Sequence, residues 1–227
     1  MKILITGGHG CLGSKLKTYY PNAFAPTHSE LDIKNDLSGE FDLVIHCAAL
    51  KPGPCNTNKR EAMLTNIQGT INVAELCHKS DAKMVYISTD YVFRGDRGDY
   101  AWDDEVCPQN YYGESKLAGE YVTKSVPNHL IIRLSFFPDQ YPYDNAFVDQ
   151  FTTKIPVSEA AREIFKLIVS GAQGVHHISG PKGSVYDYAL RTAHGKHIDQ
   201  SELADVERHE TDLKRPRDTS LLAGGET

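Results

Sequence analysis

Short apolar runs alternate with longer amphipathic stretches along most of the chain. The runs indicate buried strands, and the stretches between them have the spacing of helices. Their alternation predicts an α/β fold, with a parallel sheet covered by helices on both faces. The predicted strands are 2–6, 23–26, 31–33, 41–47, 83–88, 129–134 and 175–178, and the predicted helices are 11–20, 57–80, a helix that carries Tyr112 after Pro108, 158–170 and 184–194.

The regular pattern weakens after residue 134. Residues 137–144 are aromatic and rich in proline without a clear period, which predicts a loop. The segment 214–220 is polar, so we expect it on the surface, with residues 223–225 frayed beyond it.

The composition is that of an ordinary globular protein, with 227 residues of which 40% are hydrophobic. This length fits one large α/β domain, or one domain with a small appendage. The net charge is −6 with both signs interspersed, so neither nucleic acid nor an anionic membrane is an expected partner. The first apolar run is too short for a signal sequence, and no run approaches the length of a membrane span. We therefore expect a cytoplasmic protein that acts on a small molecule.

The cysteines and histidines argue against a metal site. The 5 cysteines form no CxxC pair and are odd in number, so reduced thiols are expected in place of disulfides or a zinc ribbon. The 10 histidines are scattered, and the adjacent His176 and His177 fit the two faces of a short strand better than a metal site. We expect no metal ion.

Glycines at positions 7, 10 and 13 follow the first predicted strand and open the first predicted helix, in the sequence TGGHGCLG over residues 6–13. A glycine-rich turn in this place lets the backbone approach a pyrophosphate, and the amino end of the helix supplies amide hydrogens and a partial positive charge. The alternative is a tight turn that binds nothing. The spacing is GxxGxxG, which differs from the GxGxxG of the most familiar dinucleotide fingerprint.

Tyr112 and Lys116 are four residues apart on a predicted helix, so they share one face. A free tyrosine titrates near pH ~10, and a neighbouring cation favours its anion, which suits the phenol to acid and base chemistry. The triplet Ser88-Thr89-Asp90 lies upstream, at the end of an apolar strand. Together these side chains could protonate a carbonyl oxygen while a bound nicotinamide delivers hydride.

With these motifs in this order, the chain resembles the extended short-chain dehydrogenase/reductase family, and within it the dTDP-4-dehydrorhamnose reductase group. The resemblance implies a Rossmann-type doubly wound parallel sheet with a small, shortened C-terminal substrate lobe. It implies a dinucleotide-binding domain over residues 1–135, and a reduced lobe over 136–227 that is interleaved with the last elements of the sheet. The residues that carry the resemblance are 6–13 (TGGHGCLG), 31–33 (LDI), 46–49 (HCAA), 65–70 (TNIQGT), 88–93 (STDYVF), 112–116 (YGESK), 133–135 (RLS) and 215–221 (RPRDTSL).

The resemblance also implies roles for the residues nearest the reacting atoms. Thr89 would hydrogen-bond the substrate carbonyl, Tyr112 would donate the proton, and Lys116 would hold the nicotinamide ribose and tune Tyr112. Ser88 would assist, and Asn66 would support a water and proton path to the lysine. Taken singly, each residue also has an ordinary structural explanation, such as a strand-end hydroxyl that satisfies a turn.

On the cofactor side, Asp32 and Ile33 resemble the pair that contacts the adenine. Ala48 and Ala49 resemble the turn that passes beneath the ribose and the phosphates. The candidate cofactor-binding residues are Gly7, Gly10, Cys11, Leu12, Gly13, His28, Asp32, Ile33, Ala48, Ala49, Asn66, Ser88, Tyr112 and Lys116.

The end of the second predicted strand usually separates NAD from NADP, because an acidic residue there binds the ribose hydroxyls and a cation accommodates a 2′-phosphate. Residues 25–29 (APTHS) offer no carboxylate before Glu30. This favours NADP(H) over NAD(H), with His28 and two hydroxyls near the phosphate, although the segment has no arginine.

Several reactions share this framework. Related dehydratases carry an Asp-Glu pair after the threonine, whereas this chain has Asp90-Tyr91, so dehydration is disfavoured. The resemblance implies NAD(P)H-dependent reduction of a nucleotide-linked 4-keto-6-deoxy sugar, a step of nucleotide-sugar biosynthesis. Two alternatives stay open: a nucleotide-sugar epimerase, and a non-catalytic NADP-binding regulatory subunit, which the short segment 135–159 motivates. A sugar nucleotide is the expected partner, and a homodimer stays open as the assembly.

Overall fold

A computed structural model describes residues 1–207 and 214–226. A π-helix spans Met63–Gln68, and a 3-10 helix spans Asp90–Val92. The strands are β1 (Ile3–Thr6), β2 (Leu43–His46), β3 (Lys83–Ile87), β4 (His129–Arg133), β5 (Phe136–Phe137), β6 (Asn145–Phe147), β7 (Phe151–Thr152), β8 (Ile155–Pro156), β9 (Gly174–His177), β10 (Gly183–Ser184), β11 (Asp199–Ser201) and β12 (Gly224–Gly225). The helices are α1 (Cys11–Tyr19), α2 (Pro52–Thr57), α3 (Lys59–Ala62), α4 (Gly69–Ser80), α5 (Tyr111–Thr123), α6 (Val157–Val169), α7 (Val185–Thr192) and α8 (Leu203–Glu207).

Within the described residues, the main sheet has the strand order β1-β2-β3-β4-β9-β12. Neighbouring strands from β1 to β9 are parallel, and β12 pairs antiparallel with β9. Ile45 lies opposite Ile5 on one side and Val85 on the other, so the apolar runs sit side by side. Every residue of β1 and β2 is buried, as expected for strands covered on both faces.

Helices pack on the two faces of this sheet and confirm the predicted doubly wound α/β class. Successive strand residues point to opposite faces. Ile3 and Ile5 therefore pack with Leu16 of α1 and Ile164 of α6, whereas Leu4 packs in the other core cluster, with α4. No helix in the described part of the chain combines the length and the apolar content that a membrane span needs.

Two short predicted strands are wrong. In residues 23–26, only Phe24 pairs with β1, as an isolated bridge, because Pro26 has no N–H with which to extend the ladder. Residues 31–33 form no strand and lead into a turn at residues 33–34, where the Asp32 carboxylate accepts a hydrogen bond of 3.0 Å from the backbone N–H two residues later. Polar side chains that bond their own backbone favour turns over strands.

The predicted helix 57–80 is broken into several pieces. Pro52 starts α2 before the predicted helix, because proline suits the first helical position. Asn58 ends α2 and caps α3, and its side chain accepts from the N–H of Glu61 at 3.0 Å. The π-helix that follows carries Asn66 towards α5, where its side chain donates to a hydroxyl.

Residues 214–226 form the tail of the chain, and they correct the prediction of a polar surface segment with a frayed end. Thr219, Ser220 and Leu221 are buried, and Leu221 packs with Val92 and Phe93. The frayed end is instead β12, which extends the main sheet. The hydroxyls that make the tail polar have buried partners. Its polarity therefore did not indicate that it is exposed.

Candidate active site

The candidate catalytic residues lie at the carboxyl edge of the sheet, where β3 leads into the 3-10 helix. Thr89 follows β3, and α5 starts after Asn110, whose side chain caps the helix by accepting from the N–H of Gly113 at 2.9 Å. A Cβ atom on Gly113 would lie 2.3 Å from a carbonyl oxygen of the 3-10 helix, so glycine permits this close approach. The approach places Tyr112 beside Thr89, and Lys116 follows one helical turn later on the same face of α5.

Tyr112 is positioned as a proton donor. Its ring stands edge-on to the ring of Tyr91, with 6.0 Å between the centroids, and its phenol lies near enough to the Thr89 side chain to be influenced by it. Burial raises the pKa of Tyr112, and the neighbouring Thr89 side chain only partly opposes this effect. The phenol is therefore protonated at neutral pH, which is the state that a general acid requires.

Lys116, one helical turn beyond Tyr112 on α5, has a buried ammonium group. Its side chain is 3% exposed, and Nζ lies 4.1 Å from the ring centroid of Tyr86. Burial lowers the pKa of Lys116 to about 8, although Cys47 and Glu120 favour its charged form. Within residues 1–207 and 214–226 it has no ion-pair partner, so its N–H donors stay available to hydroxyl groups of a bound molecule.

The tail holds Thr89 through Asp90. The carboxylate of Asp90 is 1% exposed and accepts from the hydroxyl of Thr89 at 3.1 Å and from that of Thr219 at 2.6 Å. Because Thr89 donates its proton to Asp90, its oxygen can accept from Tyr112. Donation to a substrate carbonyl, which the resemblance implied, would require the Thr89 hydroxyl to rotate away from Asp90.

The glycines of the glycine turn, residues 6–13, have two roles: some allow close packing of the backbone, and one leaves space for a ligand. Gly7 has φ +66, and a Cβ there would lie 2.8 Å from the backbone nitrogen of Ala48. A Cβ on Gly13 would lie 2.3 Å from the Gly7 oxygen. Gly10 faces outwards: a Cβ there meets a single atom within 4 Å. Among the described residues, the N–H groups of residues 11–13 find no protein acceptor, so this helix end fits a phosphate.

A buried chain of hydrogen bonds joins the glycine turn to the helices beside α5. The Thr70 hydroxyl donates to the Asn66 carbonyl at 2.7 Å, so the Nε2 of His46, 3.1 Å from Thr70, must carry a proton. Its Nδ1 is then the acceptor for the Thr6 hydroxyl at 2.6 Å, and Thr6 in turn accepts from the N–H of Ala48 at 3.4 Å. Burial lowers the pKa of His46 to about 3, in agreement with a neutral ring.

The side chain of Asn66 completes this connection. Its Nδ2 donates to the Ser115 hydroxyl at 2.9 Å, and that hydroxyl donates to the backbone carbonyl of Tyr112 at 2.8 Å. Its Oδ1 accepts from the N–H of Leu50 at 2.7 Å. Asn66 thus supports the helix that carries Tyr112. The predicted water path from Asn66 to Lys116 stays a prediction.

The remaining predicted cofactor residues lie around the glycine turn in different settings. Ala48 and Ala49 follow β2, and Ala48 lies under Gly7. Cys11 is exposed at the start of α1, whereas the Leu12 side chain belongs to the core. Their expected part in binding therefore falls to backbone groups at this helix end.

On the adenine side, Asp32 is partly engaged by its own surroundings. Its Oδ1 lies 3.6 Å from the Nε2 of the exposed His28, and its Oδ2 lies 3.8 Å from the ammonium of Lys34. Ile33 is buried against Gly69 of α4. The hydroxyl of Ser88 donates to the buried Glu120 at 2.5 Å. The assistance expected of Ser88 stays a prediction.

Sequence reasoning assigned no role to His46 or Thr219, although both lie in segments that carry the resemblance. Their partners are 24 to 129 residues away in the chain, so spacing could not reveal them. The available signal was a polar residue inside an otherwise apolar strand, as for His46 in β2. No group of His, Cys, Asp and Glu side chains in the described residues could hold a metal ion.

The doubly wound sheet, with a glycine turn and the Thr89, Tyr112 and Lys116 cluster at its carboxyl edge, places the chain among Rossmann-type α/β proteins. Residues 1–155 match the RmlD substrate binding domain, and the chain belongs to this family.

Relatives in this family include reductases. The chain is 31% identical to the probable low-salt glycan biosynthesis reductase Agl14 of Haloferax volcanii, over 76% of this chain and 67% of that protein. It is 34% identical to dTDP-4-dehydrorhamnose reductase of Mycobacterium tuberculosis, over 60% of this chain and 50% of that protein. The chain thus spans about half to two thirds of the length of these curated relatives.

Solved structures extend the likeness over nearly the whole chain. Crystal structures of dTDP-4-dehydrorhamnose reductase from Clostridium acetobutylicum (30% identity, covering 98% of this chain and 90% of that one) and from Bacillus anthracis in complex with NADP (28%, covering 99% and 92%) both match with a TM-score of 0.87.

Proposed function

We propose that the chain is an NAD(P)H-dependent reductase of a nucleotide-linked 4-keto-6-deoxy sugar. The observation that carries the proposal is the protonated Tyr112 phenol near the Thr89 hydroxyl, at the same sheet edge as the glycine turn. Lys116 follows one helical turn later and forms no ion pair within residues 1–207 and 214–226. Relatives named as dTDP-4-dehydrorhamnose reductase and dTDP-4-keto-6-deoxy-D-glucose reductase support this substrate class. We further propose residues 1–135 for cofactor binding and 136–227 for substrate binding.

A bound nicotinamide would supply hydride to the carbonyl carbon. Tyr112 donates its phenolic proton to the carbonyl oxygen, and the developing phenolate is stabilised by the nearby ammonium of Lys116. Lys116 also donates hydrogen bonds to ribose hydroxyls. Thr89 holds the phenol in place before transfer, because its own proton is directed at Asp90.

NADP(H) is the cofactor that we favour over NAD(H). The carboxylate of Glu30 accepts from the N–H and the hydroxyl of Thr27, both at 2.8 Å, so it is satisfied within its own turn. His28 is exposed beside these residues and is available to a 2′-phosphate. The B. anthracis relative with NADP supports the same choice.

The test measures NADPH and NADH oxidation by the purified protein with a panel of 4-keto-6-deoxy sugar nucleotides. We expect one NADPH consumed for each sugar reduced, and a loss of about 10²- to 10⁴-fold in kcat for Tyr112→Phe. Tyr112→Phe should bind NADPH with unchanged affinity. Tyr111→Phe, on the same helix, is the matched control and should retain activity.

The alternatives predict different readouts. An epimerase would interconvert sugar nucleotides without net loss of NADPH, and a regulatory subunit would bind NADPH without turning over any member of the panel. Full activity in Tyr112→Phe would reject the role of this residue. A homodimer and a cytoplasmic location stay predictions from the sequence.

A further inference from the structure

Two cations of the lobe, Lys154 and Arg215, lie close to the candidate proton donor. Lys154 sits between β7 and β8, and its ammonium donates to the hydroxyl of Ser135, just beyond β4, at 2.5 Å. The ammonium also lies 5.0 Å from the ring centroid of Phe137. Lys154 is thus held at the carboxyl edge of the sheet by a hydroxyl and an aromatic face, neither of which cancels its charge.

Arg215 reaches the same place from the tail. Its guanidinium lies 5.5 Å from the ring centroid of Phe147, and its Nε is buried without a hydrogen-bond partner. The amide of Gln150 donates both to the carbonyl of Pro216, at 3.1 Å, and to the phenol of Tyr91, at 3.2 Å. Since the ring of Tyr91 contacts that of Tyr112, these bonds fix Arg215 beside the active site.

The charges of this pair are not balanced by the described residues. Neither Lys154 nor Arg215 forms an ion pair within residues 1–207 and 214–226. The nearby Asp90 has both of its oxygens occupied by hydroxyl donors. Burial lowers the pKa of Lys154, Asp90 opposes this, and the neighbouring charge of Arg215 adds to the lowering. Arg217, two residues later, is exposed and pairs with Asp149 at 3.3 Å.

Adjacent, partly buried cations without counterions are costly unless an anion joins them. A diphosphate offers two negative charges and several acceptor oxygens on a short span, which suits one ammonium and one guanidinium. We propose that Lys154 and Arg215 together bind the diphosphate group of a nucleoside-diphosphate ligand, on the lobe side of Tyr112. The inference rests on the proposed function for the identity of the ligand as a sugar nucleotide.

The test measures binding of dTDP, UDP and GDP by titration calorimetry to the whole chain with saturating NADPH, so that the cofactor site is filled. The tightest of the three is compared with its uncharged nucleoside. We expect Lys154→Met and Arg215→Gln each to weaken the diphosphate by about tenfold or more, as for a lost hydrogen bond to a charged group, with no change for the nucleoside. Arg217→Gln and Lys166→Met are the matched controls and should bind as the wild type does.

One charge-retaining variant and a competition measurement on the wild-type protein complete the test. Lys154→Arg should bind more tightly than Lys154→Met, and inorganic pyrophosphate should compete with the nucleoside diphosphate on the wild-type protein. The proposal is overturned if none of the three diphosphates binds, if pyrophosphate does not compete, or if the nucleoside weakens as much as the diphosphate. Cation-dependent diphosphate binding without any NADPH oxidation would uphold this site and reject the reductase, whereas turnover without cation dependence would do the reverse.

Discussion

The glycine turn and the proposed substrate lobe reach the same edge of the sheet by different means. The turn is one contiguous stretch, residues 6–13, whose shape follows from its glycines and from the backbone of Ala48 beneath them. The lobe instead brings together segments that are far apart in the chain. Its contacts include Thr219 with Asp90, and the N–H of Leu221 with the Thr153 hydroxyl at 3.2 Å.

The two regions are therefore stabilised by different kinds of interaction. A contiguous turn depends on backbone conformation, so a single added methyl group can distort it. An assembled surface depends on side-chain pairs, so it fails through the loss of a partner. Variants that act on one region and spare the other test the distinction, and their expected effects range from the loss of several kcal/mol to the loss of one hydrogen bond.

The largest effect is expected at the buried ion pair between Glu120 and Arg133. Glu120 of α5 accepts two hydrogen bonds, of 2.8 and 2.9 Å, from Arg133 of β4, and both side chains are almost fully buried. Glu120→Gln leaves Arg133 buried without its counterion, so we expect a loss of about 3–5 kcal/mol in the free energy of unfolding. Glu159→Gln, at an exposed pair, should cost less than about 1 kcal/mol. Urea unfolding measures both, and equal losses would contradict the prediction.

The same contrast explains how far the sequence allowed prediction. The strands of the parallel sheet were predictable because their apolar runs are buried on both faces, and Tyr112 and Lys116 because helical spacing places them together. The tail was mispredicted, since the partner of Thr219 lies 129 residues away. The break at Asn58 was missed because capping depends on where the chain turns, which periodicity does not record.

The second-largest effect should be limited to the glycine turn. Gly13→Ala puts a Cβ 2.3 Å from the Gly7 oxygen, so backbone must move, and we expect a loss of about 1–3 kcal/mol together with the loss of NADPH binding. Gly10→Ala meets a single atom, 3.1 Å away, and should weaken NADPH without lowering stability. Gly53→Ala has open space and serves as the control. The binding of NADPH and that of the nucleoside diphosphate are both titrated. If Gly10→Ala weakened diphosphate binding, the two regions would not be independent.

Acid should affect both regions through one histidine in each. Burial lowers the pKa of His46 to about 3 and that of His177, in β9 beside the tail, to about 4, from an ordinary value of 6.5. Below pH 6.5 each of these rings binds a proton in the unfolded chain but not in the folded chain. The free energy of unfolding therefore falls as the pH is lowered. The fall approaches about 1.4 kcal/mol per pH unit for each histidine, down to its folded pKa.

His46→Gln and His177→Gln should each remove their own share of this fall. Unfolding in urea at several pH values between about 7 and 5 measures it. An unchanged slope in His46→Gln would mean that His46 is not the neutral link inferred from Thr6 and Thr70.

The smallest effect is expected from Thr219→Val, which keeps the shape of the side chain and removes its hydroxyl from Asp90. Asp90 is left with one hydroxyl donor in place of two, which should cost about 1.5 kcal/mol, the lower end for a hydrogen bond to a charged group. A freed Asp90 no longer holds the Thr89 proton in one direction, so kcat should fall while NADPH affinity does not. Thr219→Ser retains the hydroxyl and should restore kcat.

This last variant decides whether the tail positions the active site or only covers it. If the tail only covers the core, Thr219→Val and Thr219→Ser differ in stability but not in kcat, because packing alone does not orient a hydroxyl. If the tail positions Thr89, the two variants differ in kcat at equal NADPH affinity. Thr18→Val, which removes an exposed hydroxyl from a helix surface, should change neither quantity. The segment that the sequence predicted as a polar surface tail would then set the direction of the Thr89 proton beside Tyr112.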